Sequence, residues 1–246
     1  MKRNIIVLIL LIFCCLATQA QDSLKTGKDK PKKEKSPTEI KINDRKVEIF
    51  RDRLLIDIYH SFWMNVPSEV KNNKFNPGFN VAALWDFKTS KKSPVSFGVG
   101  LGVSYFSQFT DALLKIQTDE WVMQYNVINS DIKYKLNRLN YINCNLPIEF
   151  RYRHYSGFKF SVGFRVGLVA EVSQSYKGAD PEGSELNRHY KNREIYNTQN
   201  ISVEAYTRIG WKPVSIFYAV QINKLFTTDK GPAIFPMSLG ISLCIF

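Results

Sequence analysis

The chain holds three histidines, and each is a place to ask for acid–base or nucleophilic chemistry. His60 precedes Ser61, but neighbours on an extended strand point to opposite faces, so this pair cannot pass a proton directly. His154 opens a short polar stretch, His154-Tyr155-Ser156-Gly157, and His189 sits among Arg188, Lys191, Arg193 and Glu194. No Gly-x-Ser-x-Gly elbow or phosphate loop is present. Cys144 and Cys244, which follow the N-terminal apolar run, lack His or Cys neighbours at metal-ligand spacing and allow at most one disulfide. The expectation is a protein that is not an enzyme, with no catalytic residue, cofactor or metal.

A second set of charged residues suggests different chemistry. Asp57, Glu149, Arg151, Arg165, Glu171, Glu204 and Arg208 each lie inside a segment that alternates apolar and polar residues, and each falls on the polar side. Carboxylates and guanidiniums confined to the inside of a narrow tube would pair with one another, so they are expected to interlock as a structural plug.

The elements that must position them are β-strands. Val95, Phe97, Val99, Leu101, Val103 and Tyr105 share one face of a pleat, and Ser96, Gly98, Gly100, Gly102 and Ser104 share the other, which is a period of two. Comparable segments are predicted over residues 54–64, 79–87, 139–152, 158–168, 201–209, 214–222 and 237–246. A soluble β-sandwich or lipocalin-like barrel would turn its apolar faces inward, and its packed core could not hold the mid-strand charges on the opposite face. With the charges inside, the apolar faces must meet lipid. The fold expected is an all-β, transmembrane, antiparallel up-and-down barrel of eight strands over residues 50–246.

Between the strands, long links (65–78, 107–137, 172–199 and 225–235) alternate with short ones. Outer-membrane barrels have short periplasmic turns and longer outer loops, so the termini are expected in the periplasm.

Residues 1–20 agree with that destination. Lys2 and Arg3 precede an apolar run from Ile5 to Leu16, shorter than the roughly 20 residues a spanning helix needs, and Ala20 offers a small-residue cleavage site. Residues 21–49 are rich in Lys, with Lys25, Lys28, Lys30, Lys32, Lys33 and Lys35, and are expected to be a disordered basic linker. This stretch contributes to the formal charge of +12, which in an exported chain does not indicate nucleic acid. The partners expected are outer-membrane lipid and other outer-membrane or periplasmic protein subunits.

One loop stands apart. Leu113, Leu114, Ile116, Trp121 and Met123 give 107–137 more apolar surface than a solvated loop carries, and a short helix over 113–123, lying over the barrel mouth or against a neighbouring subunit as a partner contact, is expected. Trp211, Trp63 and Tyr105 fall near strand ends, as members of aromatic girdles would.

The run Tyr141-Ile142-Asn143-Cys144-Asn145-Leu146-Pro147-Ile148-Glu149-Phe150-Arg151-Tyr152, the following Gly163 and Gly167, and the ending Leu243-Cys244-Ile245-Phe246 resemble the PorT-like outer-membrane β-barrel family of Bacteroidota. The resemblance covers most of residues 50–246, and its clearest signal is the apolar-Pro-apolar step at Pro147, where a β-bulge is expected because proline lacks a ladder donor. It implies an outer-membrane barrel, with a namesake associated with type IX secretion. The reading that results is a structural or interaction component, an accessory subunit of a secretion or assembly machine. A narrow passive channel and a lipid-modifying enzyme are the alternatives.

Overall fold

The computed structural model describes residues 39–42, 45–48, 54–71, 75–88, 93–117, 119–184 and 186–245. The expected export signal, most of the basic stretch and Phe246 lie outside the described residues. The chain divides into two units, Met1–Ile49 and Phe50–Phe246.

In the first unit, β1 (Glu39–Ile42) pairs antiparallel with β2 (Arg45–Glu48), Ile42 opposite Arg45. The expectation of a disordered linker through residue 49 therefore fails at its end. The sequence carries the signal: Ile40 and Ile42 alternate ahead of Asn43-Asp44, a dipeptide suited to a tight hairpin, and Val47 follows.

The second unit is built from β3 (Leu54–Met64), β4 (Pro77–Lys88), β5 (Val95–Phe109), β6 (Ala112–Gln117), β7 (Val122–Val127), β8 (Tyr134–Arg153), β9 (Phe158–Ala179), β10 (Asn187–Asn192), β11 (Ile201–Trp211), β12 (Val214–Gln221) and β13 (Phe235–Ile245). Eight of them close in the order β3-β4-β5-β8-β9-β11-β12-β13, and β13 returns to β3 from Phe235 opposite Met64 to Ile245 opposite Leu54. Every neighbouring pair is antiparallel, so the barrel is up-and-down and has no free edge. Outside it, β6 pairs with β7 and β10 adds to β9.

Burial is inverted relative to a soluble domain. Outward residues such as Ile58, Ile216, Phe164 and Phe87 are exposed, whereas Asp57, Ser61 and Ser242 are fully buried. Such a surface is stable against hydrocarbon, and the closed ladder leaves no unpaired backbone edge in it, which is the architecture of an outer-membrane barrel.

Two strands outrun the sequence expectation. β8 has 20 residues and β9 has 22, and their upper halves rise past the apolar belt with β10 alongside. The β8–β9 pairing shifts register twice, between Ile142 and Asn143 and between Tyr134 and Leu136. The first shift sets Ile142 opposite Glu171 but Asn143 opposite Val169, so Ala170 is an extra residue.

The bulge expected at Pro147 is absent. Pro147 stands opposite Arg165 in unbroken register with β9. Toward β5 the ladder skips it: Val99 pairs with Ile148 and Gly102 with Asn145, the same register on both sides. The missing donor is absorbed by omitting a rung, which costs less distortion than inserting a residue.

Candidate functional site

The lumen holds a chain of charges of alternating sign. It runs Arg153, Asp86, Arg151, Glu149, Arg208, Asp57, Arg165, Glu204. Arg153 and Arg151 each place Nη1 2.9 Å from a different oxygen of Asp86. Arg151 also grips Glu149, whose other oxygen accepts from Arg208 Nη1 at 2.6 Å. Arg208 donates from Nη2 and Nε to the two oxygens of Asp57 at 3.0 and 3.3 Å. Arg165 Nη1 lies 3.9 Å from Asp57, and its Nη2 and Nε donate to Glu204 at 2.5 and 3.1 Å. Named this way, the positive and negative groups cancel, as burial in a narrow tube demands.

Register explains the assembly. Arg165 and Glu204 are directly opposed across β9 and β11, and Arg208 faces Phe217 across β11 and β12. The Arg208 guanidinium rests 4.5 Å from the Tyr206 ring centroid and 5.0 Å from that of Phe217, adding cation–π attraction in a desolvated site. Room for these side chains comes from lumen glycines: a Cβ on Gly163 would stand 2.7 Å from Glu149 Cβ and 2.2 Å from a backbone oxygen.

Beside the charges is an amide layer. Asn80 Nδ2 donates to Asp57 at 2.9 Å, Ser104 Oγ donates to Asn80 Oδ1 at 3.0 Å, and Asn143 Nδ2 donates to Ser202 Oγ at 2.8 Å. A lumen cavity lined by Tyr59, Asn143 and Glu204 measures about 10 Å³, room for about one water-sized sphere.

At the long-loop end the tube closes on an apolar cluster that joins Tyr59, Trp63, Phe106, Tyr141, Phe217 and Phe226 to Leu114 and Met123. Leu114 and Met123 come from the β6–β7 hairpin, so 113–117 and 122–123 lie in strands and not in the helix expected. The hairpin is pinned in place: Leu114 N donates to Gln174 Oε1 at 2.9 Å, Gln174 Nε2 and Asn137 Nδ2 donate to Ala112 O at 3.0 and 2.9 Å, and Asn197 Nδ2 donates to Trp121 O at 2.6 Å. Leu113, Leu114 and Met123 are buried and Ile116 packs against the cluster, which removes them as a partner-contact surface. Trp121 alone of that set is largely exposed, edge-on to Tyr196.

Six of the seven residues expected in the lumen meet there, and Glu171 does not. Its carboxylate is partly exposed and pairs with Lys191 at 2.5 Å and Arg193 at 3.7 Å. The extra residue Ala170 reverses the pleat above it, so Val172, Gln174 and Tyr176 turn inward and Glu171 turns out. Asp86 and Arg153 are lumen members beyond the expected set. Asp86 carries a signal, since it alternates between outward Trp85 and Phe87; Arg153 follows the last outward tyrosine of its strand and reads as turn.

Other expected positions divide. Trp211 is exposed beside the Lys212-Pro213 turn and Tyr105 is partly exposed on the outer face, but Trp63 points inward and is buried, because it shares parity with Asp57 and Ser61. His60 stacks on Phe75 at 5.1 Å and its Nδ1 accepts from Asn76 N at 3.0 Å, leaving Ser61 on the other face. His154 Nδ1 lies 2.7 Å from Ser156 Oγ in an exposed turn. Cys144 is half-buried and Cys244 buried, and no disulfide joins the two. Among the described residues no three His, Cys, Asp or Glu side chains are grouped to hold a metal ion.

No family model matches the chain, and no curated protein matches it. Among solved structures the chain is similar to Ail, the attachment invasion locus protein of Yersinia pestis, in complex with the heparin analogue sucrose octasulfate. The identity is 12% and the TM-score 0.36, covering 77% of this chain and 95% of that one. A second structure of Ail gives a TM-score of 0.33 at the same identity and coverage. A likeness this distant carries no inference about role.

Proposed function

We propose that the protein is a non-conducting outer-membrane barrel that serves as a structural or interaction component, an accessory subunit of a secretion or assembly machine. The observation that carries this reading is the blocked lumen: a neutralised chain of buried charges lies beneath an apolar cap, so the interior is spent on holding the tube together. What remains for a role is the surface that rises above the belt. The proposed orientation puts the long loops outside the cell and the short turns and the termini in the periplasm. Assignment to a secretion machine rests on the PorT-like resemblance of residues 141–152 and the glycines after them.

The test is gentle solubilisation of native membranes after in-membrane crosslinking, followed by purification through a tag on this chain. Recovery of a defined heteromeric complex is the expected result. A chain recovered alone, which also gives stable single-channel currents in a planar bilayer, would overturn the proposal in favour of a passive channel.

A further inference from the structure

A groove on the raised sheet has no part in closing the lumen. It measures about 570 Å³, and its lining includes Lys133, Tyr134, Lys135, Lys177, Arg188 and His189 but no carboxylate. The backbone gathers these cations from three strands. His189 on β10 is opposite Lys177 on β9, Arg188 is opposite Gly178, and Tyr134 on β8 meets Gly178 from the other side. Lys135 is the extra residue at the register shift between Tyr134 and Leu136, and a bulge of this kind re-aims a side chain out of the pleat. Gly178 permits the close approach: a Cβ there would stand 2.4 Å from Tyr134 Cα.

The charge in the groove is left uncompensated. Arg188 is held by Asp180, with Nη2 and Nε 3.0 and 3.1 Å from Oδ2. Lys133, Lys135 and Lys177 are exposed and have no ion-pair partner among the described residues. Three ammonium groups around one concavity repel each other and raise the local concentration of anions.

We propose that this groove binds a polyanionic polysaccharide, through sulfate or phosphate groups on successive sugars. Lys177 lies nine positions beyond Leu168, the last outward apolar residue of β9 below the bulge, or about 30 Å of strand at about 3.3 Å per residue. Barrel strands tilt by about 35–45°, so the rise is about 20–25 Å, which lifts the groove clear of phospholipid headgroups at the belt edge and favours a polymer that reaches away from the bilayer. The chemistry is independent of the secretion assignment and of which side of the membrane the groove faces.

The test uses the full-length barrel in detergent, with dextran sulfate as probe and neutral dextran as its uncharged counterpart. Dextran sulfate should bind, salt should weaken the binding, and neutral dextran should not bind. The triple variant Lys133→Glu/Lys135→Glu/Lys177→Glu should bind at least about tenfold more weakly, while the corresponding triple Lys→Arg variant should retain binding. The control Lys71→Glu/Lys224→Glu/Lys230→Glu changes net charge equally and should bind as the parent does, with all variants keeping the parent's heat-modifiable gel mobility. Equal loss in the control would reduce the effect to net charge and overturn the site. So would absence of dextran sulfate binding, or tighter binding of dihexanoyl phosphatidylglycerol, which would assign the groove to lipid headgroups.

Discussion

Arg208 reaches from β11 to Asp57 on β3 and to Glu149 on β8, so one guanidinium ties together three strands that are not all neighbours in the barrel. All three side chains are almost wholly buried. Removing the cation takes from Asp57 its closest guanidinium and leaves Glu149 to Arg151 alone, and breaking one partner out of a buried ion pair costs about 3–5 kcal/mol. Arg208→Gln is therefore expected to lower stability by about that amount, read from urea unfolding in detergent by tryptophan fluorescence. Arg165→Ala should cost less, because Glu204, its close partner, keeps some access to water. An Arg208→Gln barrel as stable as the parent would mean the charge chain does not hold the tube.

Closure has two layers, and they should fail separately. Replacing residues 111–124 by a Gly-Ser linker removes Leu114 and Met123 from the cluster and wets Trp63, giving a red-shifted emission and reduced stability, by about 1.5–3 kcal/mol for each large side chain uncovered. The barrel should remain folded and still not conduct, since the chain from Arg153 to Glu204 is untouched. Single-channel currents from this variant would show that the cap, and not the charges, is the seal.

Orientation is open to labelling on intact cells. A tag at Gly183, which sits in a turn with φ +88° and has open space where a side chain would project, is expected to be reached from outside. Asp180 nearby is a poor site, being buried and bonded to Ser184 and Arg188. Tags near Lys30 and at Lys91 should be protected until the membrane is permeabilised. The reverse pattern would invert the topology.

The Asp180 turn should respond to acid. The Ser184 hydroxyl, at 2.5 Å, and the Glu182 amide hold the Asp180 carboxyl below its ordinary value of 3.8, with Arg188 adding to the effect. A depressed carboxyl favours the folded turn above the unfolded value and loses that contribution as pH falls through the folded one. Hydrogen-exchange protection around Ser184 to Arg188 should thus be flat above about pH 4 and drop below it. Asp180→Asn should remove the dependence. A transition near neutral pH would rule out Asp180 as the group responsible.

Much of the barrel is legible in the sequence because lipid imposes a simple rule on each strand below the belt edge. Asp57 between Ile56 and Ile58, or Arg165 between Phe164 and Val166, leaves little choice of face. Where the rule lapses, parity misleads. Glu171 keeps the odd-numbered parity of Arg165, and only the apolar run Leu168-Val169-Ala170 interrupts the alternation where the extra residue sits. The cap is hidden for a related reason: Leu113-Leu114 breaks the period of two, so the hairpin reads as helical, and its partners Trp63, Phe106 and Gln174 come from three distant strands. Lys133 and Lys135 draw meaning only from Lys177 and His189 across the sheet, a proximity that no local pattern encodes.

The single extra residue in β9 works as a phase switch between two solvents. Apolar side chains occupy even positions from Phe158 to Leu168 and again at Val172 and Tyr176, yet the first group greets hydrocarbon and the second turns its back on water. One extra alanine thus lets even-numbered positions obey opposite instructions on either side of a boundary, and the height of that boundary along the strand is written into the backbone itself. Drawing Ala170 into the ladder as a paired residue would carry the lipid rule upward, presenting Tyr176 to the aqueous phase and steering Lys177 into the wall, whereas deleting it would leave both flanks facing as they do.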